Sequence, residues 1–125
     1  MDWEDYRAKL AIAVMGECEN CSAFEKFLVA CVGWNRWLHQ KKYKFNPLEK
    51  DFLGYNRKIV INNVSRDAME ESIKAVDRAF IELRSSPVYR DLFFFNLTGK
   101  KPSTIFKVEA AKFEGVKHTF FKIIE

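Results

Sequence analysis

Four side chains able to bind a soft metal occur in order in the first third of the chain: Cys18, Cys21, Cys31 and His39. A structural zinc centre needs four such ligands converging tetrahedrally, usually two from each of two knuckles. The spacing argues against one here. Cys31 lies inside an apolar run of helical period, and His39 follows it along the same run at a separation of about 12 Å, too far for one ion. Cys18 and Cys21 therefore read as two loop thiols and Cys31 as a small buried hydrophobe. A redox role for the Cys18 and Cys21 pair lacks the strand-to-helix setting such motifs use. Three cysteines also make a poor disulfide framework. Neither a metal nor another cofactor is expected.

Acid–base chemistry finds as little support. The two histidines, His39 and His118, are far apart in the sequence. His118 stands one helical turn after Glu114, a spacing that most often marks an exposed ion pair. No phosphate loop, nucleophile elbow or HExxH pattern is present, so no catalytic residue is assigned. The basic run Arg36, Lys41, Lys42 and Lys44 is interleaved with Trp37, Tyr43 and Phe45. Cations neutralise phosphates and rings stack on bases, so this combination suits RNA or another single strand. The competing explanation is a solvated helix end whose lysines favour the C-terminal dipole.

These residues need elements to hold them. Asp2 can cap a first helix with Trp3, Tyr6, Leu10 and Val14 on its apolar face, ended by Gly16. Ser22, with Glu25 three residues on, forms the pattern of a capping box. The helix it starts, residues 24–39 (FEKFLVACVGWNRWLH), is the most apolar run in the chain. Asn35 falls on its core stripe, where an unpartnered amide costs about 1–3 kcal/mol. Pro47 permits a short helix closed near Gly54, and residues 58–64 read as an extended connection, with a short strand as the minority reading. Ser65 then caps a helix with Met69, Ile73, Val76, Phe80 and Leu83 on one stripe. Ser86 and Pro87 start another through Val88, Leu92 and Phe95, with Phe93 and Phe94 off its stripe. After Gly99, Ser103 caps a helix through Phe106, Ala110 and Phe113, and the period resumes at Val116, Phe120, Ile123 and Ile124. That apolar run reaches Glu125, as in a chain cut inside an element or completed by a partner.

Composition agrees with a folded helical protein. The 125 residues are 48% hydrophobic and 30% charged, with 12 Phe but only 5 Gly and 3 Pro, few for a turn-rich β chain. A net charge of +4 permits a nucleic-acid partner without requiring one. The acidic start, MDWEDYRAK, is unlike a secretory signal, and no run approaches a membrane span. A reduced, cytoplasmic setting without membrane contact is expected.

Residues 24–39 resemble the first long helix of HEPN-type proteins (higher eukaryotes and prokaryotes nucleotide-binding domains), an aromatic-rich helix ending in a pattern such as W-x-x-F-N-x-W/L. Here Cys31-Val32-Gly33-Trp34-Asn35-Arg36-Trp37-Leu38 places Trp34-Asn35 where the family has Phe-Asn. The later order is similar too, with a helix over 68–83 and then a short loop, proline and aromatic helix over 86–97. Members that act as metal-independent RNases carry Arg-x4-6-His on a late helix, paired across a homodimer. This chain lacks that motif: His39 follows Arg36 too closely, and no arginine follows Arg90 to partner His118. The resemblance implies a dimer in a defence or toxin–antitoxin setting, binding RNA or a protein partner without catalysis. RNase activity would need the motif restored beyond Glu125. It also makes Asn35 a structural or site-lining residue.

Taken together, these features predict an all-α single domain over residues 1–125, a bundle of about five to six helices around the 24–39 helix. Ligand or nucleic-acid contacts are expected at Asn35, Arg36, His39, Lys41, Lys42 and Lys44. Phe93 and Phe94 are expected at a dimer or partner interface. The alternative function is a helical interaction or oligomerisation domain with no nucleic-acid role.

Overall fold

Asp2 opens the first helix by accepting the Asp5 N–H on its carboxylate at 2.9 Å. The structure, a computed structural model, describes residues 2–57 and 63–124. Its helices are α1 (Trp3–Cys18), α2 (Ala23–Leu38), α3 (Leu48–Asp51), α4 (Asn63–Glu82) and the single turn α5 (Pro87–Arg90). Tighter 3-10 turns occupy Leu53–Asn56 and Leu83–Ser85. The chain then forms β1 (Leu92–Asn96), β2 (Val108–Ala111) and β3 (Thr119–Ile123).

The core gathers around α2. Every residue of α2 from Glu25 to Asn35 is buried, and the helix touches α1, α4 and β1. Trp34, fully enclosed, donates its indole N–H to the Val76 carbonyl at 2.8 Å, and Tyr6 donates its hydroxyl to the Gly33 carbonyl at 2.6 Å. These bonds satisfy polar groups that would otherwise be stranded in the core. The buried face of α4 runs through Ala68, Ser72, Ala75, Val76 and Ala79, and continues to Leu83 at the start of the 3-10 turn that follows. The stripe expected there used larger residues, of which Val76 and Leu83 are buried while Ile73 is exposed. Small side chains on the inner face let α4 approach its neighbours closely, which turns the bulkier ones outward. Arg7 of α1 adds a forked pair to Asp77 of α4, at 2.6 and 2.7 Å.

Gly16 does not end α1. It sits within the helix against Gly54, whose carbonyl oxygen lies 1.7 Å from where a Gly16 Cβ would stand. Only two glycines allow this backbone contact. The short helix expected after Pro47 is α3, followed by the turn that carries Gly54. Of the extended connection expected over 58–64, residues 58–62 lie outside the described residues. Helix α4 begins at Asn63, so Ser65 is inside the helix and not its cap.

The all-α bundle is overturned by the chain beyond Pro87. Ser86 accepts the Val88 N–H and Pro87 occupies the first helical position, but the helix lasts one turn. A three-stranded antiparallel sheet of order β1-β3-β2 replaces the expected late helices. Phe and β-branched residues dominate its strands and favour a pleated, half-buried surface. Leu92 and Phe120 face the helical core, while Phe121, Ile123 and Val108 face a second cluster with Tyr43. Between Leu92 and Phe94 the register slips by a bulge, with Leu92 opposite Lys122 and Phe94 opposite Phe121. The extra residue, Phe93, thus shares a face with Phe94. Both rings join the Tyr43 cluster, which explains two adjacent phenylalanines off any helical stripe. Among the described residues, no helix is long and apolar enough to cross a membrane.

Candidate functional site

The C-terminal end of α2 and the sheet's outer face together build a groove. The segment between α2 and α3 and the loop between β1 and β2 bound an open volume of about 580 Å3, within the range of about 300–1,000 Å3 typical of ligand sites. Lys42 and Lys44 line it beside Phe45 and Phe94, together with Ser103 and Thr104 of the loop. Lys42 and Lys44 are both exposed.

Arg36 forms part of the groove wall but is engaged within the protein. Its guanidinium lies 4.8 Å from the Phe45 ring centre and 5.0 Å from that of Phe94. It donates to the Phe93 carbonyl at 2.8 Å and to Asp51 at 2.6 Å. Burial lowers its pKa, and the Asp51 carboxylate opposes that shift. The cation therefore orients the rings and ties the bulge in β1 to α3, while the exposed Lys42 and Lys44 add positive charge along the groove.

Asn35 and His39 belong to a separate hollow of about 430 Å3 with Arg84, Arg90 and Asp91. Asn35, fully buried, donates its amide to the carbonyls of Tyr89 at 2.6 Å and Leu92 at 3.0 Å. It fastens α2 to the chain entering β1, which accounts for an asparagine on a core stripe. Its Oδ1 has no hydrogen-bond partner among the described residues. His39 is exposed, with its ring 5.7 Å from that of Phe93. Lys41 is exposed and lines neither hollow. Phe93 is 3% exposed and stacks on Phe45, and Phe94 is half-buried against Phe45 and Arg36.

The opposite end of α2 holds a cluster that no local sequence pattern announces. Cys18 closes α1 and Cys21 precedes Ser22, the cap of α2; the two are joined as a disulfide, not held as free thiols. Ser22 accepts the Glu25 N–H at 3.1 Å, which is half of a capping box. The Glu25 carboxylate does not complete the box. It accepts instead from the Lys117 N–H at 2.9 Å, the His118 N–H at 3.0 Å and the His118 ring at 2.5 Å. Burial alone would push this carboxyl upward, but those donors outweigh it and hold Glu25 below its usual range. His118 Nδ1 also lies 4.0 Å from Cys18 Sγ, and its ring meets Phe95 edge-on. Glu114 sits in a turn, so the helical pairing expected for His118 does not form. The CxxC pair was a visible signal; its partners were not, because Glu25 read as a cap and His118 lies 100 residues from Cys18.

Comparison with protein-family models, curated proteins and solved structures finds no match. The function must be read from the geometry of these sites.

Proposed function

We propose that this chain is a cytoplasmic RNA-binding protein, without catalysis of its own, that seats a single-stranded segment in the groove beside the end of α2. One observation carries the proposal: Lys42 and Lys44 line the same open groove as Phe45, Phe94 and the residues Ser103 and Thr104. Ammonium groups neutralise phosphates, rings offer stacking faces to unpaired bases, and hydroxyls can bond the sugar or a phosphate oxygen. The HEPN-type resemblance of α2 supports RNA as the polymer. The segment it makes an aromatic helix, residues 86–97, is one turn and then β1, so the proposal rests on the groove rather than on the family.

Fluorescence anisotropy with a labelled single-stranded RNA across a salt series tests it. Affinity should fall with salt at a slope of about 0.7 for each phosphate neutralised. Lys42→Glu with Lys44→Glu should flatten that slope and weaken binding about 10-fold or more. A complex indifferent to both salt and these substitutions would exclude the groove as an RNA site.

A further inference from the structure

The cluster at the start of α2 has the composition and convergence of a metal centre. Cys18 Sγ, Cys21 Sγ, a Glu25 carboxylate oxygen and a His118 ring nitrogen all lie within 4.8 Å of one another. In a tetrahedral site with bonds of about 2.3 Å to sulfur and 2.0–2.1 Å to nitrogen or oxygen, adjacent ligand atoms stand about 3.3–3.8 Å apart. Small side-chain shifts bring these four atoms to that spacing once the disulfide is open. Two sulfurs and an imidazole select a borderline-soft ion such as Zn2+ over Mg2+ or Ca2+.

We propose that, with Cys18 and Cys21 reduced, the chain binds one Zn2+ through both thiolates, His118 Nδ1 and Glu25, and that the disulfide and the zinc complex are alternative states of one site. Three surroundings favour the metal state. The amides at the start of α2 place partial positive charge beside an anionic ligand set. Lys26, almost fully buried, donates its ammonium to the Cys21 carbonyl at 3.1 Å and pairs with Glu71 at 2.7 Å, which pins the backbone of the turn that carries Cys21. The N–H groups of Lys117 and His118 hold the Glu25 carboxylate in place, as outer hydrogen bonds orient the ligands of metal sites. Access is available through half-exposed Cys21 and through a hollow of about 230 Å3 lined in part by His118 and Glu17.

The steps balance. Reduction of the disulfide by a dithiol or a phosphine delivers two electrons and, with two protons, leaves two thiols. Zn2+ then displaces a proton from each thiol and takes the place of the proton on His118 Nδ1, which passes to solvent or, in a neutral ring, to Nε2. In reverse, a peroxide accepts two electrons from the thiolates and, with two protons from solvent, becomes water; the sulfurs couple and the ion is released. A reducing cytosol favours the metal state and an oxidising compartment the disulfide. The zinc site is independent of the groove and of RNA.

The test uses the full chain reduced with a phosphine and titrated with Zn2+ against a chromophoric chelator. One equivalent should bind, and peroxide should release it. X-ray absorption of the loaded protein should show two sulfur neighbours at about 2.3 Å and two lighter ones at about 2.0–2.1 Å. Cys18→Ser and Cys21→Ser should each weaken binding about 100-fold or more, and His118→Ala and Glu25→Gln about 10-fold or more, since even outer partners of a metal site contribute about 10–100-fold. A reduced chain that is folded by circular dichroism yet takes up no Zn2+ overturns the proposal, as does a zinc shell of nitrogen and oxygen alone. The absorption measurement needs no variant, so it decides the matter even where a substituted chain does not fold.

Discussion

At the start of α2, Glu25 is enclosed and its carboxylate meets donors that come from residues 117 and 118. At its other end Arg36 is largely covered as well, but the cations beyond it, Lys41, Lys42 and Lys44, are exposed. Both arrangements suit the helix dipole, anion at the amide end and cations at the carbonyl end. They differ in reach. The first end assembles side chains from opposite parts of the chain into one tight cluster, with ligand-type atoms within 4.8 Å of one another, whereas the second lays neighbouring residues along an open surface. A closed cluster can select by coordination geometry; an open, ringed and charged groove selects by charge and stacking along a polymer.

Substitutions at the two ends should expose that difference, most strongly at the closed one. Glu25→Ala strands the N–H groups of Lys117 and His118 together with the His118 ring, and urea unfolding should show a loss of about 3 kcal/mol. Glu25→Gln retains an acceptor and should lose clearly less. If both variants unfold like the parent, the carboxylate is not what anchors residues 117–118. At the open end, Arg36→Ala removes bonds to Phe93 and Asp51 and the cation between two rings, for an expected loss of about 2 kcal/mol. Arg36→Lys should recover little, because an ammonium cannot reproduce the planar fork. Unchanged denaturation midpoints for these variants would mean that the groove wall stands without its cation.

The middle of α2 supplies the smallest effect and a pH signature. The Tyr6 hydroxyl donates to the Gly33 carbonyl, and Tyr6→Phe should cost about 1 kcal/mol at neutral pH. Burial raises the Tyr6 pKa well above its ordinary value, with the Arg36 charge opposing and Glu49 adding to the rise. A raised folded pKa means that the contribution is complete below the unfolded value of about 10 and disappears as pH climbs through the folded one. Wild-type stability should therefore fall along the alkaline limb more steeply than that of Tyr6→Phe. Parallel limbs would show that this phenol is not held neutral by the fold.

How much was legible in the sequence obeys the same division between local and distant. Helices α1, α2 and α4, and the caps at Asp2, Ser22 and Ser86, are written in neighbouring residues and could be read. So could the lysines of the groove, which lie within a few positions of Phe45. The sheet could not, because Leu92, Phe95, Phe106, Ala110, Phe120 and Ile123 fit a helical period as well as a strand. What decides between them is pairing such as Leu92 with Lys122, invisible to any local window. The Asn35 oddity was visible and its partners, Tyr89 and Leu92, were not. Glu25 was misread for the same reason: a capping pattern is local, and the turn that claims its carboxylate lies near the other end of the chain.

The strand order carries a further consequence for how the protein comes into being. In β1-β3-β2 the central strand is the last to be synthesised, and neither β1 nor β2 pairs with the other. Until Thr119–Ile123 is in place, the segment LFFFN has no hydrogen-bonding neighbour in its own sheet and, once clear of the ribosome, presents three successive phenylalanines to whatever is nearby. Unpaired apolar strands of this kind are where nascent chains associate wrongly. Helix α2 is complete long before then, and Leu92 can lodge against it, so the helical core offers β1 a resting place until Thr119–Ile123 arrives to close the sheet.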